Sequence, residues 1–229
     1  MHGRGHHRRL FLHGAGRKGI AAWPTVDATS GTFLAFPPSS DIVRRTQQVI
    51  TAMEGGPTTI YAHSIGAIPT VLAARAARTT VSLVLVEPAL YDITRGESPI
   101  ERHISAVTES RDQAAAGNLH GAWAILRPLM FGGPLDEDRW ADEEQIAAHW
   151  TSTDVPWGHG VREAALDGIR TLVVTGGWND EYELIAGRLA DRGAEHVVIA
   201  GHGHRPQDHP HFREVAGEFE CRRPEVPRR

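Results

Sequence analysis

"TIYAHSIGAI", Thr59 to Ile68, is an apolar, strand-like run that breaks at His63 and Ser64 and resumes through Gly66 as the start of an Ala-rich, helix-like stretch. If the break is a sharp strand-to-helix turn, the Ser64 hydroxyl is held clear of the chain, with the unpaired N–H groups of a new helix beside it. If it is an ordinary loop, Ser64 is only a polar turn residue. The first reading makes a demand on the rest of the chain. A serine hydroxyl is a weak nucleophile near neutral pH, so a base must take its proton, an acid must orient the base, and donors must meet the developing oxyanion.

Outward from this stretch lie further short apolar runs, bounded by Gly, Pro or polar residues and rich in β-branched side chains. They are "LFLHG" (10–14), "TFLAFPP" (32–38), "SLVLVEP" (82–88), "TLVVTGG" (171–177) and "HVVIAGHGH" (196–204). Runs of this kind read as strands buried on both faces. Helical patterns alternate with them. "SDIVRRTQQVITAMEGG" has Ser40 or Asp41 as a cap, an apolar stripe including Ile42, Val49 and Met53, and Gly55-Gly56 as a stop. Pro69 falls in the first turn of the helix after Ser64, where a missing N–H costs little. Alternating strands and helices predict an α/β fold, a mostly parallel sheet of about six strands covered by helices on both faces. From Asp92 to Gly168 the pattern turns helical and polar and carries Trp123, Trp140, Trp150 and Trp157, which predicts a helical cap inserted between two sheet strands. Residues 1–91 and 169–221 are then the core domain and 92–168 the cap. The start, "MHGRGHHRR", is expected to fray and the Pro/Arg-rich end, 222–229, to be disordered.

Ala62-His63-Ser64-Ile65-Gly66 resembles the nucleophile elbow G-x-S-x-G of the α/β-hydrolase family, with alanine at the first glycine. The backbone N–H of Ile65 follows the nucleophile and opens the helix, so it points at the reacting centre. The resemblance extends over roughly Leu10 to Phe219. "LFLHGAG" places a His-Gly pair after a strand, where the family builds the second half of its oxyanion hole, and implies the Ala15 N–H as the other donor. "VVTGGWNDEY" implies Asp180 as the acid, with Glu87 at the end of "LVLVEP" and the adjacent Glu181 as rivals. Read only as local structure, Asn179-Asp180 would cap a helix. "IAGHGHRPQDHPHF" implies His204 as the general base, with His202 as runner-up. The order Ser, acid, His matches the family. Its members usually begin with an antiparallel pair of strands that this chain lacks or reduces. The resulting exposed sheet edge could be covered in a homodimer.

For the substrate pocket the sequence offers Trp23 and Trp178 near the oxyanion and acid loops, His63 beside the nucleophile, and Trp123, Met130 and Phe131 in the cap. Trp23 and Trp178 have the better claim to the pocket, the cap residues more often pack cap helices onto a core, and His63 reads equally as a cleft or a core histidine. The four histidines between Ile199 and Phe212 lack a zinc signature such as H-E-x-x-H, so no metal and no cofactor is expected.

Bulk composition agrees with an enzyme of this kind. A chain of 229 residues can form one sizeable domain, and a net charge of −4 provides no strong field for nucleic acid or an anionic membrane. A single cysteine, Cys221, excludes an internal disulfide and fits a reducing cytosol. No apolar run is long enough to span a membrane, and a cytoplasmic protein is expected. The expected activity is serine hydrolysis of a small, rather apolar ester or lactone through an acyl-enzyme on Ser64. The same triad also serves C–C hydrolysis, perhydrolysis and acyl transfer, and a non-catalytic ligand-binding protein could keep the same fold.

Overall fold

A computed structural model of the protein describes residues 7–37 and 40–222; the expected tail beyond 222 and the start before His7 lie outside them. The chain divides into two compact units, residues 1–94 with 156–229, and residues 95–155.

The first unit is built on a six-stranded, wholly parallel open sheet of order β2-β1-β3-β4-β5-β6. The strands are β1 (Arg8–Leu12), β2 (Thr32–Leu34), β3 (Thr58–His63), β4 (Val81–Val86), β5 (Arg170–Thr175) and β6 (Glu195–Val198). β1 starts inside the stretch expected to fray: Arg9 forks onto Glu220 with Nε–Oε distances of 2.9 and 3.0 Å, and its neighbour's N–H bonds to the Pro57 carbonyl at 3.0 Å. Helices α1 (Ile42–Met53), α2 (Ala67–Arg75), α6 (Asp180–Ala190) and α7 (Phe212–Cys221) belong to the same unit. The start of α1 follows from Asp41, whose carboxylate accepts the Arg44 N–H at 2.8 Å. Pro69 is the third residue of α2, as its missing donor requires.

Successive strand residues point to opposite faces. On one face Phe11, Tyr61, Val84, Val86, Leu172 and Val174 meet Phe212, Val215, Ala216 and Phe219 of α7. The alternate residues, among them Leu10, Leu12, Ile60, Leu83 and Leu85, are fully buried too. This double burial explains why the strands read as continuous apolar runs rather than as alternating ones.

The chain leaves β1 towards β2 on one side and leaves β3 towards β4 on the other. The sheet order therefore reverses between β1 and β3, and a crevice opens outside the C-terminal ends of those two strands. Among the described residues no strand precedes β1, so β2, only three residues long, forms one sheet edge.

The second unit holds α3 (Ser98–Ala115), α4 (Leu119–Phe131) and α5 (Trp140–Ser152). It is shorter than the predicted 92–168 insertion. Asp92 stays with the first unit because its carboxylate accepts the N–H groups of Gly158 (2.7 Å), His159 (2.9 Å) and Val161 (3.2 Å). Within the helical unit, Glu143 is buried and accepts the Trp123 indole N–H at 2.7 Å and the Arg127 Nε–H at 2.9 Å. Phe131 sets its ring edge-on against Trp123 and Trp150, and Met130 is half-buried. No described helix is long and apolar enough to cross a membrane.

Trp23 is not a pocket residue. It is 0% exposed and packs on Phe11, Tyr61 and Phe212 with ring centroids 5.5, 6.1 and 6.1 Å away. Trp23→Ala is expected to destabilise the fold by about 3–5 kcal/mol, the cost of an aromatic-sized core cavity. A urea titration reads this as a lower midpoint.

Candidate active site

All six residues of β3 are buried, and the strand ends at His63 in extended conformation (φ −106°, ψ 134°). Ser64 then turns to φ +55°, and a 3₁₀ turn, Ser64–Gly66, runs into α2. A positive φ is costly for a residue with a Cβ, and among the described residues only Ser64 and Glu87 adopt it without being glycine. Both stand at the C-terminal ends of adjacent strands, β3 and β4. The break in "TIYAHSIGAI" is thus a strained strand-to-helix turn, and Ser64 is half-buried at its apex.

The turn is pressed against the loop that follows β1. A Cβ on Gly66 would come within 2.7 Å of the His13 carbonyl oxygen, and one on Gly14 within 3.0 Å of both the Ser64 Cβ and His63 Nδ1. Glycine at both positions lets the two backbones touch. This contact sets the loop after β1 against the start of the helix. Ala62, at the family's glycine position, is fully buried within β3.

Glu87 is wholly buried, and its backbone N–H bonds to the Val174 carbonyl at 2.8 Å. Its Oε1 accepts the Gly176 N–H at 2.5 Å; its Oε2 accepts the Trp178 indole N–H at 3.0 Å and lies 3.3 Å from His204 Nδ1. An ionised carboxylate can only accept, so the His204 proton belongs on Nδ1 and Nε2 keeps its lone pair. Two loops cooperate in this placement. The loop after β5 supplies Gly176 and Trp178, and the glycine-rich loop after β6 supplies His204. They pack so closely that a Cβ on Gly176 would meet the Gly203 carbonyl oxygen at 2.1 Å.

Asp180, expected as the acid, is the exposed first residue of α6. Its segment does what the local reading allowed: Asn179 caps α6, its side chain accepting the Glu181 N–H at 2.7 Å. The rival, Glu87, is the carboxylate that meets His204. Glu181 accepts from the Tyr91 hydroxyl instead. His202 is exposed and faces His209, with ring centroids 5.2 Å apart. Among the described residues no group of three or more His, Cys, Asp or Glu gathers as a metal site.

His63 does not open onto a pocket. It is buried, and its Nε2 lies 2.8 Å from the His204 carbonyl oxygen. Burial, followed by the neighbouring charges of His204 and Arg205, pushes its pKa well below the usual imidazole value. Trp178 does belong to the site: it is 48% exposed while its indole N–H holds Glu87. Tyr182, which no motif marked, also stands here. Its ring lies 4.9 Å from that of His204, and its phenol is within hydrogen-bonding reach of Ser64 and Tyr91. Burial and the nearby Glu87 and Glu181 carboxylates raise its pKa well above the usual phenol range, so it stays protonated. Ser64 and His204 therefore share two neighbours, His63 and Tyr182.

The model of the alpha/beta hydrolase family matches residues 1–216, and the chain belongs to that family. Solved structures agree on the fold. An alpha/beta hydrolase from Sphaerobacter thermophilus is 20% identical over 95% of this chain and 94% of its own (TM-score 0.60). A structure from a study of carboxylesterases of the thaumarchaeon Nitrososphaera gargenis is 17% identical over 96% and 92% (TM-score 0.56). The carboxylesterase CesB of Bacillus subtilis is 14% identical over 94% and 84% (TM-score 0.52). No curated protein sequence matches the chain.

Because the atom facing Gly66 is backbone, it cannot swing aside. Gly66→Ala is expected to lower stability by about 1–3 kcal/mol through overpacking. Thermal melting checks this, with Gly187→Ala, in open space on α6, as the control.

Proposed function

We propose that the protein is a serine hydrolase of carboxylic esters or lactones, with Ser64 as nucleophile, His204 as general base and Glu87 as the acid that orients it. The observation that carries this reading is the buried Glu87 carboxylate against His204 Nδ1, next to a serine held at positive φ. His204 Nε2 takes the Ser64 proton as Oγ attacks the substrate carbonyl carbon. The carbonyl oxygen becomes an oxyanion received by the Ala15 and Ile65 N–H groups, each such donor being worth about 3–4 kcal/mol in comparable sites. The imidazolium, stabilised by Glu87, then protonates the leaving alkoxide. Water, activated by the same nitrogen, splits the acyl-enzyme and restores Ser64. Trp178 and Tyr182 form an aromatic wall beside His204, which favours a rather apolar substrate. Carboxylesterases among the structural neighbours support the choice of reaction class, and serine rather than aspartate at the elbow argues against chemistries that need a carboxylate nucleophile.

A fluorophosphonate should label the folded protein at Ser64, and Ser64→Ala should abolish both labelling and hydrolysis of a short p-nitrophenyl ester. Unlabelled Ser64 in folded protein would favour a binding role. Glu87→Gln presents an amide donor to Nδ1 and forces the proton onto Nε2, the wrong tautomer. A fall in kcat on the order of 10⁴-fold is expected, whereas Asp180→Asn should stay near wild type. The reverse pattern in steady-state kinetics would return the acid role to Asp180.

A further inference from the structure

His63 lies between the nucleophile and the base without being either. It is the last residue of β3, 5% exposed, and its Nε2 is 2.8 Å from the backbone carbonyl oxygen of His204. A carbonyl only accepts, so Nε2 carries the proton and the ring is the Nε2–H tautomer. The two imidazoles lie 4.7 Å apart at 50°. On the opposite edge, Nδ1 is backed by Gly14, where a Cβ would approach to 3.0 Å. His63 thus fills the space between the loop after β1 and the loop that carries the base.

That second loop has other anchors, and their positions make the His63 contact matter. Arg205 donates to the Ala22 carbonyl (3.0 Å) and forks onto Asp208 (2.8 Å), while Thr25 Oγ1 donates to the Gln207 carbonyl (2.8 Å). These restrain the loop downstream of His204 and tie it to the segment after β1. Upstream lie Gly201 and Gly203, at φ +99° and +51°, residues with wide conformational freedom. The side-chain contact with Glu87, at 3.3 Å, is at the long end of the hydrogen-bond range. The His63 bond acts on His204's own backbone, from the residue that precedes Ser64.

We propose that His63 is a positioning residue for the reaction: its Nε2–H fixes the His204 backbone relative to the nucleophile elbow, so that the distance from base to hydroxyl is set through one side chain. This inference rests on the serine-hydrolase reading above. A misplacement of about 1 Å between reacting groups costs on the order of 10²-fold in rate.

Four proteins test it: wild type, His63→Leu, His63→Gln and His63→Asn, each with its melting temperature, fluorophosphonate labelling rate and ester kinetics. The Gln amide nitrogen stands where Nε2 does, while that of Asn falls about one bond short. His63→Leu and His63→Asn are expected to lose roughly 10- to 100-fold in kcat and in labelling rate, with KM within about twofold, and His63→Gln to recover most of it. A Leu variant labelled as fast as wild type overturns the inference. So do Gln and Asn variants that are equally impaired, or losses that follow melting temperature alone. If the Leu variant does not fold, the Gln and Asn comparison decides. An unlabelled wild type sinks the hydrolase reading and this one with it; a labelled wild type with unaffected variants sinks this one only.

Discussion

A carboxylate with no access to water governs the arrangement of the site. An unpaired buried charge costs several kcal/mol, so Glu87 can exist at the end of β4 only because donors surround it. Those donors come from elsewhere in the chain: the Gly176 N–H and the Trp178 indole from the loop after β5, and the His204 imidazole from the loop after β6. The requirement to satisfy one group therefore pulls three strand ends together. It also fixes the tautomer of the imidazole, so one interaction serves both stability and chemistry. Glu87 itself holds a positive φ, as Ser64 does.

Much of the architecture was legible in the sequence because both faces of the sheet are covered. Each of the six apolar runs became a strand that begins within two residues of the run's start, since burial on both sides leaves few polar residues to blur the signal. Gly14, Gly66 and Ser64 were equally readable, because close backbone approach and a tight turn restrict the residue type severely. Legibility failed where the decisive fact is a contact between distant loops. Asp180 sits at the usual station for an acid, yet the same residues make a good helix cap, and the cap is what forms. Glu87 carried a signal, a charged residue closing a fully apolar strand, but the sequence alone could not say whose donors would meet it. Tyr182 carried none: its place beside His204 depends on α6, which follows the loop after β5, lying against the separate loop after β6. Trp23 and His63 turn into the core, because nearness in sequence to a reactive loop says nothing about which way a side chain turns.

Histidine does unlike work at neighbouring places in this molecule. At position 204 it is half-buried and faces the Glu87 carboxylate. At position 63 it is enclosed and neutral, a rigid two-sided spacer. At position 13 burial outweighs all else and depresses its pKa, while Nδ1 bonds to the Gly14 carbonyl at 2.6 Å. Their surroundings, more than the residue type, divide the roles.

Every strand in the sheet runs the same way, and this has a kinetic meaning. Parallel neighbours cannot be joined by a hairpin, so each pairing waits on a crossover, and the loops that must close are long. Ser64, Glu87 and His204 follow the third, fourth and sixth strands in chain order. A growing polypeptide thus brings these three residues together only when β6, the last strand and the edge opposite β2, docks, and under the proposed mechanism a nascent chain is silent until then.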